Sequence, residues 1–149
     1  MKDSKGPDSD LKERRFLAID YGIKRIGLAL TDPMLSIAFP YKTIQNDSYC
    51  LDKIADIIKE KSVTKIVLGY PSSEEIRESG FHKEVLKFAE ELKEFFNLEI
   101  ILWDETYTSS IAKARILESV TSRKKRRDKS LLDQQSAAII LQEYIDSLH

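Results

Sequence analysis

The apolar residues of this chain change their spacing partway along, and that change limits the folds open to it. Phe16-Leu17-Ala18-Ile19, Ile26 through Leu30 and Leu35 to Ile44 are short apolar runs joined by short turns. Such runs predict an antiparallel meander of three strands. Pro40 marks a bend or an edge position, because proline cannot donate to a sheet ladder. From residue 48 the spacing lengthens. Ser48 is placed to cap a helix in which Leu51, Ile54, Ala55 and Ile58 share a face. Lys65-Ile66-Val67-Leu68-Gly69 reads as a buried strand. Phe81, Val85, Phe88, Leu92, Phe95 and Phe96 recur every three or four residues, the pattern of a strongly amphipathic helix. Leu98 to Trp103 is a further strand and Thr108 to Glu118 a weaker helix. Ser130 to Leu148 closes the chain with a long helix, on which Ala137, Leu141, Tyr144, Ile145 and Leu148 share a face.

The order is therefore βββαβαβαα. Strands that alternate with helices pair in parallel through right-handed crossovers. The expected class is α/β, a mixed five-stranded sheet with helices on both faces. Residues 1–13 are polar with no apolar spacing and read as a flexible tail, leaving 14–149 as a single domain long enough to bury a continuous core. No apolar run approaches the roughly 20 residues that span a bilayer, and the start, MKDSKGPDSDLKERR, lacks the apolar segment of a secretory signal. Cys50 is the only cysteine, which excludes an internal disulfide and fits a reducing cytoplasm. The sequence carries no signal of oligomeric state.

Three places carry carboxylates where chemistry could use them. Asp20 follows four apolar residues and precedes Tyr21-Gly22, at the rim of the sheet where open α/β folds place ligands; a turn aspartate bonding its own backbone fits equally. Asp104 and Glu105 follow the strand ending at Trp103. Neighbouring strand residues point to opposite faces, so only one of the two serves a given site; an acidic turn is the plainer reading. Asp133 lies on the stripe of Ala137, Ile140 and Tyr144, where a carboxylate needs a partner or a metal. Ser130 to Asp133 also has capping-box spacing.

Considered together, two of these acids end strands that could be neighbours, and the third sits in the first turn of the closing helix. Clustered carboxylates repel unless a cation stands between them. Oxygen ligands without cysteine or histidine suit Mg²⁺ or Mn²⁺, and two such ions about 3.5–4 Å apart hydrolyse phosphodiesters. His82 and His149 are too far apart in sequence for zinc-ligand spacing, and no placed histidine supports a nucleophilic triad; His82 reads as a surface helix residue. The net charge of −1 hides a local excess of cations at Arg123, Lys124, Lys125, Arg126 and Arg127, which could track a phosphate backbone or form a solvated loop. Lys24 and Arg25, between Gly22 and Gly27, sit in a turn that could bring them to a phosphate. Trp103, Tyr70 and Tyr107 are the remaining stacking candidates, with Trp103 better suited to the core.

The stretch Ala18-Ile19-Asp20-Tyr21-Gly22-Ile23-Lys24-Arg25-Ile26-Gly27-Leu28-Ala29 resembles the first motif of the YqgF/RuvX family. Val67-Leu68-Gly69-Tyr70-Pro71, Asp104-Glu105-Thr106-Tyr107-Thr108-Ser109 and Asp133 with Ser136-Ala137-Ala138-Ile139-Ile140-Leu141 resemble its later motifs, in the same order over residues 15–147. The resemblance implies an RNase H-like fold. It also implies an acidic metal-binding triad of Asp20, Glu105 and Asp133, which favours Glu105 over Asp104. The implied activity is that of a metal-dependent nuclease in 5′-end maturation of the 16S ribosomal RNA precursor, or of a Holliday junction resolvase on branched DNA. Tyr70 stands where that family carries leucine, Tyr107 follows Thr106 where arginine and leucine are common, and residues 72–80 depart from the family loop. These differences bear on substrate contacts. Two other readings compete: a nucleic-acid-binding module without catalysis, and a phosphotransferase of the actin-like ATPase class, suggested by the Asp-x-Gly-x-Lys-x-x-Gly pattern at 20–27. The latter class needs two such domains, and this chain has room for one.

Overall fold

The computed structural model describes residues 14–71, 79–105 and 129–149. The expected tail at 1–13, the helix expected at Thr108–Glu118, Tyr107 and the basic run 123–127 lie outside the described residues. Strands β1 (Arg15–Asp20), β2 (Arg25–Thr31) and β3 (Ala38–Gln45) form the antiparallel meander; β4 (Val63–Tyr70) and β5 (Glu99–Asp104) pair in parallel on the other side of β1. The sheet order is β3-β2-β1-β4-β5. The described helices are α1 (Cys50–Lys61), α2 (Phe81–Phe95) and α3 (Lys129–Ser147). The expected mixed five-stranded sheet is present.

Both faces of the sheet are covered, which is why β1 and β4 read as continuous apolar runs and not as alternating ones. On one face Leu17, Ile19, Leu28, Ile66 and Leu68 pack against Ile54 and Ile57 of α1 and Val85, Phe88 and Leu92 of α2. On the other, Phe16, Ala18, Ala29 and Val67 lie under Ala137, Ile140, Leu141, Tyr144 and Ile145 of α3. The alanines on this second face leave room for α3 to approach the strands closely. Trp103 is partly buried there, edge-on to Tyr144 at 5.6 Å, with its indole N–H donating to Glu143 Oε1 at 3.3 Å. It packs as the sequence suggested.

Four local expectations change. Strands β1 and β5 are not neighbours, because β4 lies between them. Ser48 does not cap α1: Tyr49 holds the N-cap position, and Asp47 closes the turn by accepting the Tyr49 N–H on Oδ1 at 2.9 Å and the Cys50 N–H on its carbonyl at 3.2 Å. The third strand starts at Ala38, not Leu35. Leu35 has a φ of 58°, and the Asp32 carboxylate takes the N–H groups of Ser36 and Ile37, both at 2.8 Å, so this stretch is a turn. Ser130 lies inside α3, which is already running at Lys129, so it does not stand before the helix as a capping residue. Pro40 does lie on the edge strand, opposite Ala29 and next to a register shift. Cys50 is buried; burial, then the charges of Asp47 and Glu91, push its thiol pKa up, so it is a packing residue.

Candidate metal centre and its cationic groove

The face covered by α3 can be followed along each strand to the end of the sheet, because side chains alternate with period two. On β1, Phe16 and Ala18 pack under α3, so Asp20 leaves the strand on that face. By the same count β2 presents Ala29 and then Gly27, and β4 presents Val67 and then Gly69. On β5, Ile101 and Trp103 belong to this layer. The next residue of that parity is Glu105, whose N–H still donates to the Tyr70 carbonyl at 3.1 Å, so the ladder continues one residue past the strand. Asp104 is exposed and of the opposite parity. From above, α3 brings down Asp133 on the stripe of Ala137 and Ile140. The three carboxylates therefore reach one end of one face from three separate elements.

Two glycines make this approach possible. Asp20 is paired with Gly27 across the β1–β2 ladder. A Cβ on Gly27 would stand 2.1 Å from the Asp133 carbonyl oxygen and 2.9 Å from Asp133 Cβ. The backbone of α3 thus rests directly on β2 beside Asp20. On the other flank, Ile19 pairs with Leu68, which places Gly69 next to Asp20 on β4. A Cβ on Gly69 would lie 2.6 Å from Glu105 Oε2 and 2.6 Å from Ile140 Cδ1. Strands β1 and β5 are two strand spacings apart, about 10 Å. Glu105 bridges part of that gap by laying its carboxylate over Gly69. Its Oε2 is closed off from solvent, an environment in which a carboxylate oxygen is stable only beside a donor or a cation.

The cations come from the β1–β2 turn. Arg25 Nε donates to Asp133 Oδ2 at 2.8 Å, and the two side chains retain 31% and 24% exposure. Asp133 thus has the partner its apolar stripe requires, and it is an arginine. Asn46 pins the turn, its N–H donating to the Lys24 carbonyl at 3.0 Å and its Nδ2 to the Gly22 carbonyl at 2.8 Å. A Cβ on Gly22 would meet the Arg25 carbonyl oxygen at 2.4 Å, so the turn closes only around glycine. Lys24 and Arg25 line a groove of about 500 Å³ with Gly22, Ile23, Phe81 and Asp133.

The donor set is all hard oxygen, which in chemical type fits Mg²⁺ or Mn²⁺. Among the described residues, however, no three acidic, histidine or cysteine side chains stand together as a ready metal-binding group. The wide β1–β5 separation and the Arg25–Asp133 pair both bear on that. Asp133 shares the groove with the Lys24–Arg25 turn, while Asp20 and Glu105 reach the same end of the sheet from β1 and β5. His82 is half-buried near the start of α2. The Tyr70 side chain is partly buried against the opposite core. No local pattern in the sequence marks Gly27, Gly69 and Asn46 for these roles, since each depends on a close approach between distant elements.

The match to known proteins covers nearly all of the described chain. The family model described as RuvX, Holliday junction resolvase, matches residues 14–147. A protein of a Sulfurihydrogenibium species is 40% identical over 139 residues, covering 90% of this chain and 91% of the relative. One from Porphyromonas gingivalis is 41% identical over 134 residues, covering 89% and 96%. Both carry the provisional name of a pre-16S rRNA nuclease. Among solved structures, RuvC of T. thermophilus in complex with a Holliday junction substrate aligns with a TM-score of 0.55 at 11% identity, over 91% of this chain and 95% of that one. The Fowlpox virus resolvase bound to Holliday junction DNA aligns at 0.50 and 11%, over 90% and 98%. At such identity these two likenesses bear on the fold alone, which is RNase H-like. With the sequence matches extending over about nine-tenths of its length, the chain belongs to the RuvX family.

Proposed function

We propose that this protein is a metal-dependent endonuclease that hydrolyses phosphodiester bonds in the 5′-end maturation of 16S ribosomal RNA precursor. The observation that carries the reading is the delivery of Asp20, Glu105 and Asp133 to one end of one sheet face, beside a groove lined by Lys24 and Arg25. Membership of the RuvX family and the names of the sequence relatives support it.

In this reading Asp20, Glu105 and Asp133 hold Mg²⁺ or Mn²⁺. Such ions, when bound, activate water and neutralise charge on the leaving oxygen. The chain's own residues do the positioning. Asp20 is fixed by the ladder at the end of β1, and Glu105 by the hydrogen bond that extends β5. Lys24, held by the Asn46 clamp, meets the phosphate backbone, and the run Arg123, Lys124, Lys125, Arg126 and Arg127 adds cations for the same backbone. Ile23, 67% exposed, and Phe81 give the groove an apolar wall for a sugar or base.

The family description favours a second substrate, branched DNA at a four-way junction. One assay separates the two: precursor 16S RNA and a four-way DNA junction offered side by side, with and without Mn²⁺. The expected result is Mn²⁺-dependent cleavage of the RNA, lost in Asp20→Asn with the fold intact by circular dichroism. Full activity in Asp20→Asn would refute the role of the acids. Binding of either substrate without products would instead support a non-catalytic nucleic-acid-binding module.

A further inference from the structure

The Arg25–Asp133 pair has a consequence for metal binding. We propose that Arg25 is an exchangeable counter-ion for Asp133: its guanidinium holds the carboxylate until a divalent cation takes it, so this ion pair sets the metal affinity of the site. The inference rests on the reading of Asp133 as a metal ligand.

The pair has the properties of a contact that can exchange. Its 2.8 Å Nε to Oδ2 distance is that of a charge-assisted hydrogen bond, and arginine cannot release a proton to escape its charge. A divalent ion on the same carboxylate would therefore face a fixed positive charge, and the two cations compete for Asp133. The pair also keeps part of its exposure, 31% for Arg25 and 24% for Asp133. A partly exposed ion pair contributes little to stability and separates easily, whereas a fully buried one would be costly to break.

Arg25 also has room to move without disturbing the fold. Its backbone is fixed, because Arg25 pairs with Gln45 in the β2–β3 ladder and Asn46 clamps the preceding turn. Only the side chain needs to turn, and the groove of about 500 Å³ shared with Lys24 lies beside it. A permanent tie between β2 and α3 would not require such space. That tie is already supplied by the close approach of α3 to Gly27, and the neighbouring strand β3 is joined to α3 by the Thr43 hydroxyl, which donates to the Ser130 carbonyl.

The test is a titration of the full chain with Mn²⁺ alone, read by calorimetry, on wild type, Arg25→Gln and Lys24→Gln. Counter-ion exchange predicts that Arg25→Gln binds Mn²⁺ roughly three- to fivefold tighter, the range expected for releasing a partly exposed pair. Lys24→Gln removes the same charge from the groove without touching Asp133, and its gain should be several times smaller. Arg25→Lys, which keeps the charge and most of the stem, covers the case in which Arg25→Gln does not fold; it should fall between wild type and Arg25→Gln. Unchanged or weaker Mn²⁺ binding in the Arg25 variants would make the pair a structural tie and overturn the proposal, as would an equal gain in Lys24→Gln. If wild type binds no Mn²⁺ at all, the metal reading of the acids fails, and this inference fails with it; the two failures are therefore distinguishable.

Discussion

Asp20 faces Gly27 directly across the β1–β2 ladder, and the backbone of α3 at Asp133 rests on that glycine. One missing side chain thus sets how near two of the three acids can come. On β4, Gly69 does the same for Glu105. The two glycines differ in what a methyl group would strike, and this separates stability from activity.

At Gly27 the obstacle is helix backbone, which cannot rotate away. Gly27→Ala should destabilise the protein by about 2 kcal/mol, the usual scale of overpacking, and lower activity with it. At Gly69 the obstacles are the tips of Glu105 and Ile140, which can swing. Gly69→Ala should cost about 1 kcal/mol in urea unfolding, at the low end of overpacking, and yet reduce cleavage at least tenfold by displacing the Glu105 carboxylate. Equal losses of stability in the two variants would contradict the difference between backbone and side-chain contact.

The parity of β5 separates two adjacent acids. Glu105→Gln should abolish Mn²⁺-dependent cleavage, while Asp104→Asn, an exposed residue of the opposite parity, should stay within about twofold of wild type, as expected for a surface position. Single-turnover rates on one RNA substrate check both. A severe loss in Asp104→Asn alone would mean that the strand count toward the site is wrong.

Asp32 supplies a pH dependence. Burial by itself would raise its carboxyl pKa, but the N–H groups of Ile37 and Ser36 and the Ser36 hydroxyl outweigh burial and hold it below the ordinary carboxylate value. A depressed folded-state pKa contributes stability that is present above the unfolded value, near pH 4, and is lost as pH falls through the folded value. Asp32→Ala should therefore be about 1 kcal/mol less stable than wild type at pH 7, the scale of a few partly exposed hydrogen bonds. The gap should close below pH 4 in denaturant melts at stepped pH. A gap that persists unchanged into acid would assign the effect to packing.

Lys65 shows how the sequence and the tertiary structure divide such information. Read along the chain, it is only a polar start to an apolar strand. In the fold its ammonium donates to the Tyr144 hydroxyl at 2.8 Å and lies 4.8 Å from the Phe16 ring centre, which ties β4 to β1 and α3. Burial alone would lower its pKa, but the contact with Tyr144 and the charge of Glu99 raise it. Neither partner is near it in sequence.

The sequence by itself determined the order of the described elements, the mixed sheet and the three acids as candidates. These follow from short-range causes: apolar period selects strand or helix, and a carboxylate just after an apolar run must sit at a rim. It could not tell Asp104 from Glu105 without the family resemblance, because parity needs a known inward face; the packing of Ile101 and Trp103 under α3 supplies it. It left β1 and β5 as possible neighbours, where the crossover instead inserts β4. Only the tertiary structure decided that Asp133 meets Arg25, 108 positions away, or that Gly27 and Gly69 hold open the space around Asp20. Contacts of that kind depend on which surfaces pack together, and no local spacing along the chain encodes them.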